Sequence, residues 1–270
     1  MISGVSYNVF NGEEHLLHSI RQIRPCVDFV GLVVQTVSNL GNPAGPALEA
    51  TVASALEQGL ADRVTWYVPD LAAPPVMNEL RKRNIGLDDA RRAGVTHFMT
   101  MDCDEYYDTR EFAAARDFID ACRIRASSVR TYLHIHRPIW RSRLPDNTCC
   151  AFLSEIGNDT VITLNAPYPT FIDGTRGING NGRPFHFFDE RIIAMKHMNL
   201  VRHSIDSKLS NSSNAGMTEF MKGVRDLYAA WRPGQPLAFP GKPPMEIIEV
   251  PDLFGIDAHF RPRGHTTENP

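Results

Sequence analysis

Val95-Thr96-His97-Phe98-Met99-Thr100-Met101-Asp102-Cys103-Asp104-Glu105 runs an apolar strand straight into three carboxylates within four residues. In an extended backbone Asp102 and Asp104 fall on the same side. Carboxylates held that close repel, and one is driven neutral unless a cation sits between them. A hard divalent ion is the natural partner: Mg²⁺ or Mn²⁺ takes one or two carboxylates, keeps some waters and completes its shell with substrate phosphates. The alternatives are a solvated turn or a cap for a helix near Thr109. An EF-hand calcium loop is excluded, because the downstream Gly and Glu spacing is absent.

Working outward, residues 76–93 read as a helix. Pro74 and Pro75 mark its start, Met77, Leu80, Leu87 and Ala90 recur at helical spacing, and Gly94 ends it. Before it come a strand (4–10), a helix (13–23), a strand (28–37) with the continuous apolar run 29–34, a helix (46–59) and a strand (63–68). This alternation predicts an α/β fold, Rossmann-like, with a mostly parallel sheet and helices on both faces. Ligands then bind beyond the carboxyl ends of the strands, here just after Phe10, Val34 and Met101.

The second half reads differently. A helix at 110–125 precedes strand-like runs at 128–139, 149–156 and 160–164, a Gly/Asn-rich loop at 174–183, a polar helical stretch at 199–209 and a final helix at 217–230. The Pro-dense segment 232–251 carries Ile247, Ile248 and Val250, which predicts an ordered arm lying on the domain. One domain with two unequal halves, 1–110 and 111–260, is the simplest division, with 261–270 as a frayed polar tail.

The chain has 270 residues, 43% hydrophobic and 22% charged, which excludes disordered, collagen-like and disulfide-scaffold classes. A net charge of −3 gives no footprint for non-specific nucleic-acid binding. Cys26, Cys103, Cys122, Cys149 and Cys150 include no C-x-x-C pair and read as free thiols in a reducing compartment. No secretory pattern and no apolar run of membrane-spanning length is present, so the expectation is a cytoplasmic protein without a transmembrane segment.

Arg83-Asn84-Ile85-Gly86-Leu87, then Ala90, Gly94 and the strand ending Met101-Asp102-Cys103-Asp104-Glu105-Tyr106, resembles the centre of family-2-type glycosyltransferases of GT-A fold. Those enzymes show an R-N-x-G-x helix, a short apolar strand and a D-x-D motif. Val9-Phe10-Asn11-Gly12-Glu13 is similar to the end of their first strand. The resemblance covers about the first 110 residues. It implies a metal-dependent transfer of a sugar from a UDP- or GDP-linked donor to an acceptor that the sequence does not identify.

Carried over by residue, the resemblance implies that Asp104 ligates Mn²⁺ or Mg²⁺ and that Asp102 meets ribose or metal-bound water. Asn8, Phe10 and Asn11 line the nucleoside pocket, and Arg83 reaches the diphosphate or holds the D-x-D loop. Many relatives place Asp at the end of the second strand. Here Gln35 stands there, and its amide can still pair with a base edge. His197, in His197-Met198-Asn199-Leu200-Val201-Arg202, matches the late segment that supplies a third metal ligand, with Arg202 and Lys208 facing the donor diphosphate or lying on a solvated basic face.

Other candidates carry less. His134 and His136 have the spacing of a two-histidine site, but Arg137, Arg141 and Arg143 would repel a cation and suit an anionic acceptor group or plain surface. Cys149-Cys150 reads as core, and the 174–183 loop as a lid over the donor. His186 is the fallback for His197. For a catalytic base, Asp173, Asp189 and Glu155 stand as alternatives beside a retaining mechanism that needs none. Two rival functions remain. A nucleotide-sugar nucleotidyltransferase would open with a Gly-rich loop where this chain has Phe10-Asn11-Gly12-Glu13. A catalytically silent nucleotide- or sugar-binding module would have no use for the acidic cluster.

Overall fold

The computed structural model describes residues 1–179, 184–212 and 216–261, so residues 180–183 of the expected lid and 262–270 of the expected tail lie outside the described residues. The first half contains β1 (Ser3–Val9), α1 (Glu13–Ile23), β2 (Phe29–Val34), α2 (Leu48–Glu57), β3 (Arg63–Trp66), α3 (Pro75–Arg92), β4 (His97–Asp102), β5 (Glu105–Tyr106) and α4 (Thr109–Cys122). Strands β3, β2, β1 and β4 lie side by side, all parallel. Every residue of β1 and β2 is buried, as continuous apolar runs covered on both faces require.

The two faces are covered by different helices. Val5, Tyr7 and Val9 of β1 pack with Leu16 and Ile20 of α1, Leu48 and Val52 of α2, and Phe112 and Ile119 of α4. On the other face α3 lies on β1 and β2. Gly86 makes that approach possible: a Cβ there would stand 2.1 Å from Ser6 Oγ. A second close approach joins the strand ends, since a Cβ on Gly12 would lie 2.4 Å from Cys103 Cβ.

The later elements are β6 (Ala126–Ile135), β7 (Arg137–Ser142), β8 (Cys150–Ala151), β9 (Ser154–Glu155), β10 (Val161–Ile162), β11 (Ile178–Asn179), β12 (Phe185–Phe187), β13 (Ala194–Leu200), α5 (Ile205–Ser210), α6 (Thr218–Ala230), β14 (Ile247–Glu249) and α7 (Asp257–Phe260). Here the expectation of a mostly parallel sheet is corrected. The fold is mixed α/β: β9 adds to β4 antiparallel, and a second sheet, β14-β7-β6-β13-β5, mixes both directions.

Among the described residues no helix lies between β6 and β13, so consecutive strands there can join by a tight reversal, as β6 and β7 do, and pair antiparallel. The run expected as one strand at 128–139 is broken at His136, whose φ of +59° reverses the chain between β6 and β7. The Pro-dense arm does lie on the fold, with β14 paired to β7. Among the described residues no helix is long and apolar enough to cross a membrane, and all five cysteines are free.

Candidate functional site

The acidic turn sits where two sheets meet. Asp102 ends β4 opposite Asn8 of β1. The chain then enters β5, which pairs antiparallel with β13 so that Glu105 lies opposite His197. Met198 N donates to Asp104 O at 2.7 Å, closing the junction. The late segment therefore folds back over the strand ends, and His197 Nε2 comes within 3.7 Å of Asp104 Oδ1.

A cleft of about 270 Å³ opens at this junction. Asn8, Phe10, Asn11, Gln35, Asp102, Asp104, Arg202 and Lys208 all line it. Eight residues singled out from distant parts of the sequence thus meet in one place. Arg83 is fully buried just beneath, donating to Thr100 Oγ1 at 2.8 Å and pairing with Glu79 and, at 3.4 Å, with Asp102. It holds the acidic turn from below.

Charge is closely matched around the carboxylates. Asp104 is 2% exposed, and its Oδ2 accepts from Arg202 and, at 2.9 Å, from Lys208. Burial alone would raise its pKa, but Lys208 and Arg202 outweigh that and hold it well below the usual carboxylate range. Arg202 also reaches Glu14 at 3.3 Å, tying the turn to the start of α1. Lys208 is placed by α5, whose Ser207 exchanges two hydrogen bonds with the Asn11 side chain. That residue has a φ of +52°, a conformation Asn adopts more readily than most.

Asp102 is partnered by Arg176 at 2.8 Å and by Arg83. Arg176 is buried and also forks onto Glu105, itself 1% exposed. It comes from the 174–183 loop, so part of the expected lid is a structural clamp. Sequence reasoning passed over Arg176, since a lone Arg in a Gly/Asn-rich loop carries no periodic or motif signal. It also passed over Lys82, on the cleft-facing side of α3.

The polar atoms left over are informative. Both amide atoms of Asn8 and Oε1 of Gln35 are buried without a hydrogen-bond partner, although Gln35 Nε2 donates to Val37 O at 2.7 Å. Unpaired buried amides are costly, and three such atoms on the wall of one cleft suit a polar ligand.

The fit of a divalent ion can be judged from the donors. Two ligands of one such ion at its usual bond length stand about 3–4 Å apart, so Asp104 Oδ1 and His197 Nε2 at 3.7 Å match a shared cation. Among the described residues no three His, Cys, Asp or Glu side chains gather as a metal cluster, and Asp102 is drawn to Arg83 and Arg176 instead. A cation between Asp104 and His197 would have two protein ligands and would take the remainder from water and phosphate, the manner in which Mg²⁺ and Mn²⁺ usually bind.

The other candidates separate. His134 Nδ1 meets Pro138 O and His136 Nε2 meets Tyr228 O, each at 2.7 Å, so the two rings serve different elements. Arg137 pairs with Asp257 and Arg143 with Glu246, while Arg141 stacks 3.9 Å over Tyr132. Cys149 and Cys150 are buried. Of the base candidates only Asp173 lines the cleft; Asp189 pairs with Arg191 and Glu155 with Arg125. His186 packs between Phe118 and Phe188.

No family model and no curated protein matches the chain. Solved structures give distant likenesses. GalNAc-T7 with UDP, GalNAc and Mn²⁺ is 12% identical over 87% of this chain and 52% of its own, with a TM-score of 0.41. S. aureus TarS 1–349 in complex with UDP is 14% identical over 55% of this chain and 39% of its own, with a TM-score of 0.39. Mannose-1-phosphate geranyltransferase from Thermus thermophilus is 14% identical over 56% of this chain and 50% of its own, with a TM-score of 0.29. The chain thus spans about half or less of each of them, and similarity this distant assigns it no activity.

Proposed function

We propose that the protein is a divalent-metal-assisted glycosyltransferase that takes a UDP- or GDP-linked sugar donor. The observation that carries this is the joint location, at parallel-strand ends, of unpartnered amides on Asn8 and Gln35 and the Asp104–His197 pair. The amides suit a nucleobase edge, and the pair suits a cation that shares its shell with phosphate.

In this proposal Asn8 and Gln35 hold the base, and Asp102, kept ionised and oriented by Arg83 and Arg176, meets ribose or metal-bound water. Asp104 and His197 would hold Mn²⁺ or Mg²⁺, which when bound stabilises negative charge on the leaving diphosphate. Asp173 is the acceptor-side carboxylate: Thr175 donates twice to its Oδ1, and among the described residues its Oδ2 has no partner. Oδ2 takes the proton of the acceptor hydroxyl as that oxygen bonds to the anomeric carbon. The bond from that carbon to the donor's phosphate oxygen breaks, and a nucleoside diphosphate leaves.

The test is release of nucleoside diphosphate from a panel of nucleotide-sugars with and without Mn²⁺. Donor hydrolysis that requires the ion supports the transferase. Release of pyrophosphate from sugar phosphate and nucleoside triphosphate would instead identify a nucleotidyltransferase, and binding without turnover a silent module.

A further inference from the structure

Lys82 differs from every other cation at the cleft. It lines the cleft and is only 6% exposed. Among the described residues it makes no hydrogen bond and no ion pair. Its neighbours do not leave it a partner. Glu79 and Asp102 are the acids that act on it most strongly, and both are already engaged by Arg83. Arg176 is taken by Glu105 and Asp102, and Arg202 and Lys208 by Asp104.

Its placement follows from the packing of α3. Gly86 seats the helix on Ser6, and Lys82 lies one turn nearer the helix N-terminus, on the same face. Pro75 and Glu79 from that end line the same cleft. The side chain is thereby carried from the sheet packing into the cleft wall, beside Asn8 and Asp102.

An ammonium set this deep in a cleft wall, with no direct ion pair, is costly to desolvate. Burial pushes the Lys82 ammonium down to about 8, which still leaves it mostly charged at neutral pH. Because it has no direct ion pair, an anion entering the cleft would gain a partner with almost no competing contact to break. Arg202 is already shared between Asp104 and Glu14, and Lys208 is paired with Asp104. Lys82 gives up nothing.

We infer that Lys82 is the binding residue for a phosphoryl oxygen of the donor's diphosphate. This rests on the nucleotide-sugar proposal above, and it adds a contact that neither the D-x-D turn nor the late basic segment supplies. A lysine serves phosphate well as a mobile point charge.

Calorimetric titration of the full chain in Mn²⁺ tests it, using UDP, uridine and UDP-glucuronate against wild type, Lys82→Met and Lys82→Arg. Lys82→Met should weaken UDP about 10–100-fold, the range for a charge-assisted hydrogen bond, with uridine unchanged. Lys82→Arg should recover most of the loss. The melting temperature of ligand-free Lys82→Met should equal or exceed that of wild type, because a largely desolvated charge with no direct ion pair has gone. Equal UDP affinity in wild type and Lys82→Met overturns the inference, as does a parallel loss of uridine binding together with a lowered melting temperature. A loss confined to UDP-glucuronate would move the contact to the sugar and overturn it too. If wild type binds neither uridine nor UDP, the nucleotide proposal itself falls and takes this one with it.

Discussion

His197 Nε2 lies 3.7 Å from Asp104 Oδ1 across the β5–β13 junction. Nothing local in the sequence joins these residues; the antiparallel pairing of Glu105 with His197 does. If the imidazole closes a metal shell, His197→Ala should weaken Mn²⁺-dependent UDP binding about 10–100-fold, the scale of lost metal-site support. Raising the metal concentration should restore part of the loss. An equal drop in thermal stability with and without Mn²⁺, and no metal-dependent defect, would show the residue to be structural.

Asp104→Asn should lower transfer at least about 10²-fold, as expected for loss of preorganised electrostatic support. It should also destabilise the fold, because Arg202 (7% exposed) would lose its main counter-charge. Breaking a buried pair from one side costs about 3–5 kcal/mol. Turnover must therefore be compared at a temperature where both proteins are folded, checked by circular dichroism. Turnover near the wild-type level would remove Asp104 from the chemistry.

The same carboxylate gives a pH prediction. The folded pKa of Asp104 lies well below its ordinary value, through Lys208 and Arg202 acting against burial. Its stabilisation is therefore fully present above the unfolded value of about 3.9 and is lost as pH falls below it. Urea unfolding at several pH values between neutral and acid should show wild type losing its advantage over Asp104→Asn in that acid window. A constant difference down to the lowest pH would contradict the pairing.

How much of this was legible in the sequence depends on how local each signal is. β1, β2, β4 and α3 follow from continuous apolar runs and helical spacing, which are read within a few residues. The acidic turn is legible for the same reason. The second sheet is less so: β5 is a two-residue strand created by its pairing with β13, and the single run read at 128–139 holds both β6 and β7, with no signal for the reversal at His136. Arg176 and Lys82 escaped because their importance lies in which partners the fold gives them or withholds.

Gly86 explains in physical terms one position of the R-N-x-G segment. Gly86→Ala would place a Cβ 2.1 Å from Ser6 Oγ and 2.5 Å from its Cβ. Relief requires α3 to lift from β1, and overpacking of this kind costs about 1–3 kcal/mol. A Ser6→Gly, Gly86→Ala double variant should recover part of that loss, since the obstructing side chain is then gone. Denaturant unfolding of the four proteins closes the cycle, and strictly additive losses would show that the two residues do not collide.

Arg176 is the residue through which a loop reaches the acidic turn. Its guanidinium forks onto Glu105 and bridges to Asp102 at 2.8 Å. Burial already pushes the Glu105 carboxyl up against the opposing pull of Arg176, so without that partner the charge would be left stranded in the core. Arg176→Met should therefore cost about 3–5 kcal/mol. Adding Glu105→Gln should return much of it, because the stranded charge is removed together with its partner. Donor binding should stay weak in the double variant, since Asp102 has still lost one of the two guanidinium groups that orient it. Full recovery of both stability and UDP affinity in the double variant would show that Arg176 serves Glu105 alone and does not position Asp102.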